Sequence, residues 1–141
     1  MPFSARITVR FGDADPAGLV YYPVIFHYFH VAMEEFFAAR CGVSYARLVA
    51  ERRLGFPTVN VRAEFFEPFV YGDVAEVEVW VSRVGRTSAT FEYRLRRAAD
   101  QTLCATATHV QVSMDLDARR SVPLPEELRR AFDDSAHPDP A

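Results

Sequence analysis

Two aspartates stand one residue apart in the segment FGDADPAGLVYYP, which covers residues 11–23. Asp15 precedes Pro16, and a residue before proline is biased towards an extended backbone. Gly18 follows, and glycine permits a left-handed turn or the close approach of a ligand. The string DADPAG therefore predicts a tight turn that presents carboxylate side chains.

The helix that the sequence predicts after this turn supplies the second part of a candidate site. The first backbone N–H groups of a helix have no acceptor within it, and they lie at the positive end of the helix dipole. Such donors suit an anion or a polarised carbonyl oxygen. A carboxylate just before them could attack a carbonyl, or take a proton from water, while the amides hold the oxyanion. The pattern therefore indicates acyl chemistry.

Two other interpretations of the aspartate pair stay open. A D-x-D-P-x-G string is also typical of an ordinary turn, in which aspartate side chains accept hydrogen bonds from their own backbone. Metal binding by Asp13 and Asp15 is less favoured. A calcium loop needs further oxygen ligands and a closing glutamate at set positions, and the sequence lacks them.

Three histidines offer further candidates. His27 and His30 share one flank of the predicted helix with Glu34, at spacings i, i+3 and i+7, but the zinc-binding pattern HExxH is absent. These residues are expected at the polar rim of a buried interface. His109 lies within a predicted strand, where we expect a structural role.

The elements around the turn follow from the hydrophobic period. Residues 5–11 alternate between apolar and polar side chains, as a half-buried strand does. A helix is predicted from Pro23, its first residue, to about Arg40, with Gly42 as its stop and Ser44 as the N-cap of a shorter helix. The apolar side chains of the long helix form one stripe, made of Phe26, Phe29, Met33, Phe36 and Phe37.

Four more alternating segments follow up to about residue 114, separated by short turns, which is typical of an antiparallel sheet. A wide apolar stripe on a helix needs an apolar sheet face to cover it. The sequence thus predicts an α+β fold in which an antiparallel five-stranded β-sheet wraps a long central helix. Because a single sheet leaves its edges unpaired, we expect at least a dimer. The segment PLPEELRRAF predicts a short closing helix, and 133–141 a flexible C-terminal tail.

Composition narrows the class of protein. The chain has 141 residues, half of them hydrophobic and a quarter charged, which predicts one domain over 1–132. A net charge of −3 gives no indication of a nucleic-acid partner, and no apolar run approaches the ~20 residues of a transmembrane segment. Cys41 and Cys104 form neither a disulfide framework nor a metal spacing, so a cytoplasmic location is expected.

The segment FGDADPAGLVYYPVIFHYFHVAMEEFF resembles the signature of the hotdog-fold acyl-CoA thioesterases of the 4-hydroxybenzoyl-CoA thioesterase type, including the YbgC-like branch. The later segment EFFEPFVYGDVAEVEVWVSRVGRTS resembles the same family. The resemblance covers nearly the whole domain and implies a hotdog fold. It also implies hydrolysis of an acyl-CoA, with an aromatic, hydroxybenzoyl-type acyl group as one option.

The resemblance further implies roles for single residues. Asp15 acts as nucleophile or general base, the Tyr22 backbone N–H polarises the thioester carbonyl, and Gly18 shapes the loop that admits the thioester. Many relatives carry a carboxylate where this chain has His30, which then replaces it or acts as a charge switch near neutral pH. Binding of substrate and CoA is assigned to Arg83, Arg86, Thr87, Ser88, His27 and His30.

The same resemblance implies an acyl-CoA substrate and a homo-oligomer, either a dimer or a dimer of dimers, with the site at the dimer interface. No metal or redox cofactor is implied. The residues of the segment SRVGRTS are equally typical of a solvated turn. Five aromatic residues either line the acyl pocket or belong to the core, and the core is expected for Phe26 and Phe29. The five are Tyr21, Tyr22, Phe26, Phe29 and Phe56.

Two alternative functions stay open. An acyl-carrier-protein thioesterase shares the chemistry but docks a folded acidic partner. A non-catalytic acyl-CoA-binding hotdog protein would bind the ester without turnover. The first would need a basic docking surface, for which the candidates are Arg62, Arg94, Arg96 and Arg97.

Overall fold

The computed structural model describes residues 2–137. A 3-10 turn at Phe11–Asp13 follows the first strand. The elements in chain order are β1 (Phe3–Thr8), α1 (Tyr22–Arg40), α2 (Tyr45–Glu51), β2 (Leu54–Gly55), β3 (Thr58–Phe65), β4 (Val74–Val84), β5 (Ser88–Arg97), β6 (Leu103–Val112), β7 (Met114–Asp115), β8 (Arg120–Ser121) and α3 (Glu126–Asp134).

The main sheet has five antiparallel strands in the order β1-β4-β5-β6-β3. Buried and partly buried side chains alternate along β5, and the buried ones are apolar, so one face of the sheet is apolar. The helix α1 lies on that face, and the strands β2, β7 and β8 form a small second sheet. The predicted α+β architecture, a five-stranded sheet around one long helix, is confirmed.

The helix α1 has the predicted extent within one residue. Tyr21 has an extended backbone and serves as the N-cap, and Pro23 stands at the second helical position, where its missing N–H costs nothing. At the other end the Cys41 N–H donates to the Phe37 carbonyl oxygen at 3.0 Å. Gly42 then takes a φ of +72°, which glycine adopts without strain. The short helix α2 begins at the predicted Ser44 cap, whose hydroxyl accepts from the Arg47 N–H.

The core is an aromatic layer between α1 and the sheet. Phe29, Phe36 and Phe37 of α1 are completely buried, and each such side chain contributes about 1.5–3 kcal/mol by leaving water. The Phe37 ring stacks on Phe91 of β5 at 6.4 Å between centroids. Phe132 of α3 closes the layer, because it contacts the rings of both Phe36 and Phe37. The predicted closing helix is therefore part of the core.

The predicted start of the tail at residue 133 is wrong, because α3 continues to Asp134 and the residues Ser135 and His137 contact the sheet. The pairing of β1 with β4 ends at Val79, which leaves the following edge of β4 without a strand. The Val81 N–H on this edge donates to Ser135 Oγ at 2.9 Å. Beyond it the His137 ring packs 4.7 Å from that of Trp80. The Val81 amide, which no strand pairs, thus holds the C-terminal segment. Residues 138–141 of the predicted tail lie outside the described residues.

The strand β3 stands at the other edge of the sheet and buries none of its side chains completely. Apolar side chains are prominent on it and just after it: Val59 is 62% exposed, Val61 46%, Phe65 48% and Phe66 50%. Native proteins rarely leave a long apolar edge in water. None of the described helices has the length and hydropathy of a membrane span.

Candidate active site

The aspartate-bearing segment forms a small hairpin in front of α1. Ala14 and Val20 face each other across a β-bridge. The Gly18 N–H donates to the Asp15 carbonyl oxygen at 2.9 Å, and the Asp15 N–H donates to the Leu19 carbonyl oxygen at 2.8 Å. Gly18 has a φ of +87°, as expected after a turn with Asp and Pro in its first two positions. The predicted turn is confirmed.

Backbone hydrogen bonds fix the hairpin to its surroundings. The Tyr21 N–H donates to the Asp13 carbonyl oxygen at 3.0 Å, which ties the hairpin to the helix start. The Val20 N–H donates to the Phe69 carbonyl oxygen at 2.9 Å, in the loop before β4. The hairpin therefore has a set position relative to both α1 and the sheet.

Asp13 connects the hairpin to the interior of α1. Its Oδ2 accepts from the Arg10 N–H at 2.9 Å and from the Tyr28 hydroxyl at 2.7 Å. Tyr28 is buried, and burial together with the Asp13 carboxylate raises the pKa of its hydroxyl. Asp13 is thus occupied by structural bonds to the hairpin and to α1.

We expect Tyr28→Phe to lower the free energy of unfolding by about 1.5–3 kcal/mol, because a hydrogen bond to a charged group contributes that much. Urea unfolding followed by circular dichroism measures the change. Tyr21→Phe is the matched control, since Tyr21 is half-exposed and its hydroxyl bonds to no described residue. Equal stabilities of the two variants would contradict the anchoring role of the Tyr28 hydroxyl.

The two carboxylate oxygens of Asp15 have different environments. Oδ1 accepts from the Ala17 N–H at 2.9 Å and more weakly from the Leu19 N–H at 3.4 Å. Within residues 2–137 no group donates to Oδ2, and the side chain is partly exposed. One oxygen therefore fixes the turn while the other stays available. The ordinary-turn interpretation and the catalytic one describe different oxygens of one carboxylate.

The helix start presents one free amide. The Tyr21 side chain makes no capping bond, and the Val24 N–H donates to the Tyr21 carbonyl oxygen at 2.8 Å. Pro23 has no N–H. The Tyr22 N–H finds no acceptor in the part of the chain that the structure describes. It is therefore free to bind an oxygen, as a thioester carbonyl would require.

Two cavities flank α1. The N-terminal cavity has a volume of about 220 Å³ and lies at the helix start. It is lined by Leu19, Val20, Tyr22, Ile25, Phe65, Phe66, Glu67, Pro68, Phe69, Cys104 and Ala105. The lateral cavity has a volume of about 310 Å³ and lies further along the helix, beside the beginning of β3. It is lined by Phe26, His30, Met33, Thr58, Val61, Tyr93, His109 and Gln111.

Of the five aromatic residues that the sequence suggested for the pocket or the core, Phe29 and Phe56 belong to the core. Phe26, for which the core was expected, is only partly buried and lines the lateral cavity, because it lies at the open side of the helix towards β3. Tyr21 and Tyr22 are exposed at the helix start.

The histidines of α1 differ in their surroundings. His30 lines the lateral cavity, its Nε2 lies 3.2 Å from Glu34 Oε2, and its ring meets that of Tyr45 edge-on. His27 is exposed and lines neither cavity. The roles of His27 and His30 in substrate binding stay predictions.

His109 is a cavity residue that the sequence analysis assigned to structure alone. It is 7% exposed, and its Nε2 is buried without a hydrogen-bond partner among the described residues. Burial, with a smaller contribution from His30, lowers the pKa of His109 to about 4. The ring is thus neutral at neutral pH. Its position in the strand is the feature that could have identified it as a cavity residue. His109 and Gln111 occupy inward-facing sites of β6, where apolar residues are usual.

The segment predicted to bind the CoA phosphates forms the hairpin between β4 and β5. The Arg83 and Arg86 side chains are exposed and form no ion pair with a described residue. The Gly85 N–H donates to the Ser88 carbonyl oxygen, and the Thr87 carbonyl oxygen accepts from the Ser113 N–H, both at 2.7 Å. From α3, Arg129 Nη2 donates to the carbonyl oxygens of residues 85 and 86.

This hairpin and the aspartate turn lie at opposite ends of β4. The turn packs against the loop before Val74, and the hairpin follows Val84. A strand rises about 3.3 Å per residue, so the two are about 30 Å apart along the sheet. Within one chain the structure therefore does not bring Arg83 and Arg86 to Asp15.

Three of the four arginines suggested for docking a carrier protein have partners, while Arg62 is exposed on β3 and bonds to no described residue. Arg97 Nη1 bonds to Asp100 Oδ2 at 3.0 Å. Arg94 lies over the Trp80 ring at 5.1 Å, and Arg96 Nη1 donates to the Gln101 carbonyl oxygen at 3.2 Å. These contacts do not favour docking of an acidic partner.

Known proteins resemble the chain along nearly its whole length. The family model described as "Thioesterase-like superfamily" matches residues 9–132. A 1,4-dihydroxy-2-naphthoyl-CoA hydrolase of Synechococcus elongatus is 30% identical over 122 residues, which cover 86% of this chain and 88% of the relative. In this chain Cys41 and Cys104 form no disulfide.

Solved structures at one quarter identity or more share the fold, and two of them are thioesterases by name. The crystal structure of a 1,4-dihydroxy-2-naphthoyl-CoA thioesterase from Synechocystis has a TM-score of 0.85 at 25% identity, and the match covers 98% of this chain and 100% of the other. A 4-hydroxybenzoyl-CoA thioesterase, solved as an aspartate-to-asparagine variant in complex with 4-hydroxybenzoyl-CoA, has a TM-score of 0.83 at 26% identity. That match covers 92% of this chain and 97% of the other.

Proposed function

Because the chain belongs to the thioesterase-like superfamily and is a thioester hydrolase, we propose that it hydrolyses an aromatic acyl-CoA to the free acid and CoA. One observation carries the proposal: the free Oδ2 of Asp15 is held on a fixed hairpin before the free N–H of Tyr22. The names of the relatives, which act on naphthoyl-CoA and hydroxybenzoyl-CoA, support an aromatic acyl group.

In the proposed mechanism the Tyr22 N–H, at the positive end of α1, binds the thioester carbonyl oxygen and stabilises the oxyanion. Asp15 then acts in one of two ways. As a general base it takes a proton from water, whose oxygen bonds to the carbonyl carbon as the C–S bond breaks and thiolate leaves. As a nucleophile it forms an anhydride and expels thiolate, and water then cleaves the anhydride. Either route consumes one water.

We also propose that the enzyme is at least a dimer, joined through the edge of β3. The apolar, solvent-exposed edge described above supports this, since pairing with a second copy removes it from water. The distance between Asp15 and the arginines of the β4–β5 hairpin supports it as well. Arg83 and Arg86 can serve as phosphate ligands only at a site completed by another protomer.

Thiol release from a panel of CoA esters tests the proposal. The panel contains benzoyl, 4-hydroxybenzoyl and 1,4-dihydroxy-2-naphthoyl esters with short, medium and long aliphatic ones. We expect the highest kcat/KM with an aromatic ester. A clear preference for aliphatic esters would contradict the aromatic substrate, and the absence of thiol release from every ester would contradict CoA-ester hydrolysis. Carrier-bound acyl groups would then be assayed.

A further inference from the structure

The lateral cavity contains a polar group that the fold leaves without a partner. A neutral imidazole carries one donor and one acceptor. No described residue bonds to either nitrogen of His109. Nε2 is shielded from water, so Nδ1 is the nitrogen that a ligand can reach. Buried polar groups in native proteins are almost always hydrogen-bonded, and exceptions frequently mark functional sites. A bound ligand would therefore give His109 the hydrogen-bond partner that the fold does not provide.

The buried Gln111 and the histidine of α1 already have partners, whereas Thr58 is exposed and its hydroxyl bonds to no described residue. Gln111 Nε2 donates to the Phe56 carbonyl oxygen at 2.8 Å, and its Oε1 accepts from the Tyr93 hydroxyl at 3.4 Å. His30 is paired with Glu34. Among the polar residues of the cavity, His109 is the buried one whose hydrogen-bonding capacity is unused.

Aromatic rings hold His109 in place and form walls for a flat group. The His109 ring lies 4.8 Å from the Tyr93 ring and 5.7 Å from that of Phe29, while Phe26 stacks at 6.4 Å. Phe26 and Tyr93 also line the cavity. Such faces favour an aromatic ligand, which can stack or meet them edge-on.

The proposed dimer would bring this cavity to the reacting carbonyl. Two copies of one edge strand related by a two-fold axis pair antiparallel. The lateral cavity contains Thr58, at the beginning of β3, and the N-terminal cavity contains Phe65, at its end. Antiparallel pairing of β3 therefore places the lateral cavity of one protomer beside the Tyr22 amide of its partner.

We propose that His109 hydrogen-bonds a polar substituent, such as a hydroxyl, on the ring of the aromatic acyl group, and so determines which aromatic esters are preferred. This rests on the proposed function. The thioester carbonyl binds at the helix start of one protomer, and the ring enters the lateral cavity of the other. Nδ1 of His109 then either donates a hydrogen bond to the substituent or accepts one from it.

The test compares paired esters that differ by one ring hydroxyl: 4-hydroxybenzoyl-CoA and benzoyl-CoA. We expect wild type to prefer the hydroxylated ester. His109→Phe, which keeps a ring of similar size, should lower kcat/KM for 4-hydroxybenzoyl-CoA by about 10-fold or more. It should change the value for benzoyl-CoA by no more than about 3-fold, because benzoyl has no group to bond.

Ser113→Ala is the matched control, because Ser113 Oγ is also buried without a described partner but lines neither cavity. It should not change the ratio of the two kcat/KM values. An equal fall for both esters in His109→Phe would show a purely structural role and overturn the proposal, as would no change for either. Failure of the proposed function looks different, since wild type would then hydrolyse neither ester.

Discussion

Asp15→Asn is expected to lower kcat for the best aromatic CoA ester by about 10³-fold, within the range that general-base catalysis contributes. Asparagine has the same shape, and its side-chain oxygen can keep the bond from the Ala17 N–H, so the turn should persist. The substitution removes the negative charge on Oδ2, the oxygen that attacks the carbonyl or deprotonates water. Binding of the ester should change little, because the Tyr22 amide remains.

Stopped assays of thiol release give kcat, and calorimetric titration with the intact ester gives Kd in the inactive variant. Asp13→Asn is the matched control. Its carboxylate is engaged by the Arg10 N–H and the Tyr28 hydroxyl, so we expect a loss of stability and at most about a 10-fold fall in kcat. A folded Asp15→Asn variant with wild-type turnover would show that Asp15 is not the reacting carboxylate.

Val59→Asp is expected to convert the proposed dimer into a monomer and to abolish most of the activity. Val59 is 62% exposed on β3, and a charge on an edge strand opposes its pairing with a second strand. Since the proposed site needs residues from both protomers, kcat/KM should fall by about 100-fold or more in the monomer.

Sedimentation velocity gives the mass of each species at the concentration used in the assay. Thr8→Asp is the control, because it places the same charge on β1, the opposite edge of the sheet, where the side chain is exposed as well. We expect Thr8→Asp to retain the wild-type mass. A Val59→Asp variant with unchanged mass, or a wild-type monomer with full activity, would refute assembly through β3.

Local patterns were sufficient to predict the elements that carry the site. The spacing of Phe29, Phe36 and Phe37 gave α1 and its buried face, because those contacts repeat with the helical period. The turn around Asp15 and Gly18 was equally predictable, because its chemistry is contained in six consecutive residues.

Contacts between distant residues were not predictable in this way. The bond between Tyr28 and Asp13 depends on how the hairpin docks on α1, and the packing of Ser135 depends on where β1 ends. The sequence placed His109 within a strand and favoured a structural role, because a histidine there is equally compatible with a fully bonded core position. Only the arrangement of its neighbours reveals that the ring lacks a partner.

The hydrogen bonds that hold the β4–β5 hairpin affect the entropy of ligand binding. Arg129 and the Leu124 N–H both donate to carbonyl oxygens of the hairpin, so its backbone is ordered before any ligand arrives. The conformational entropy of this loop, about 1–2 kcal/mol for each residue fixed, is lost during folding and not during binding. If Arg83 and Arg86 hold the CoA phosphates, only their side chains need to become ordered. Binding of CoA should then show a small entropic penalty and leave the hairpin backbone unchanged.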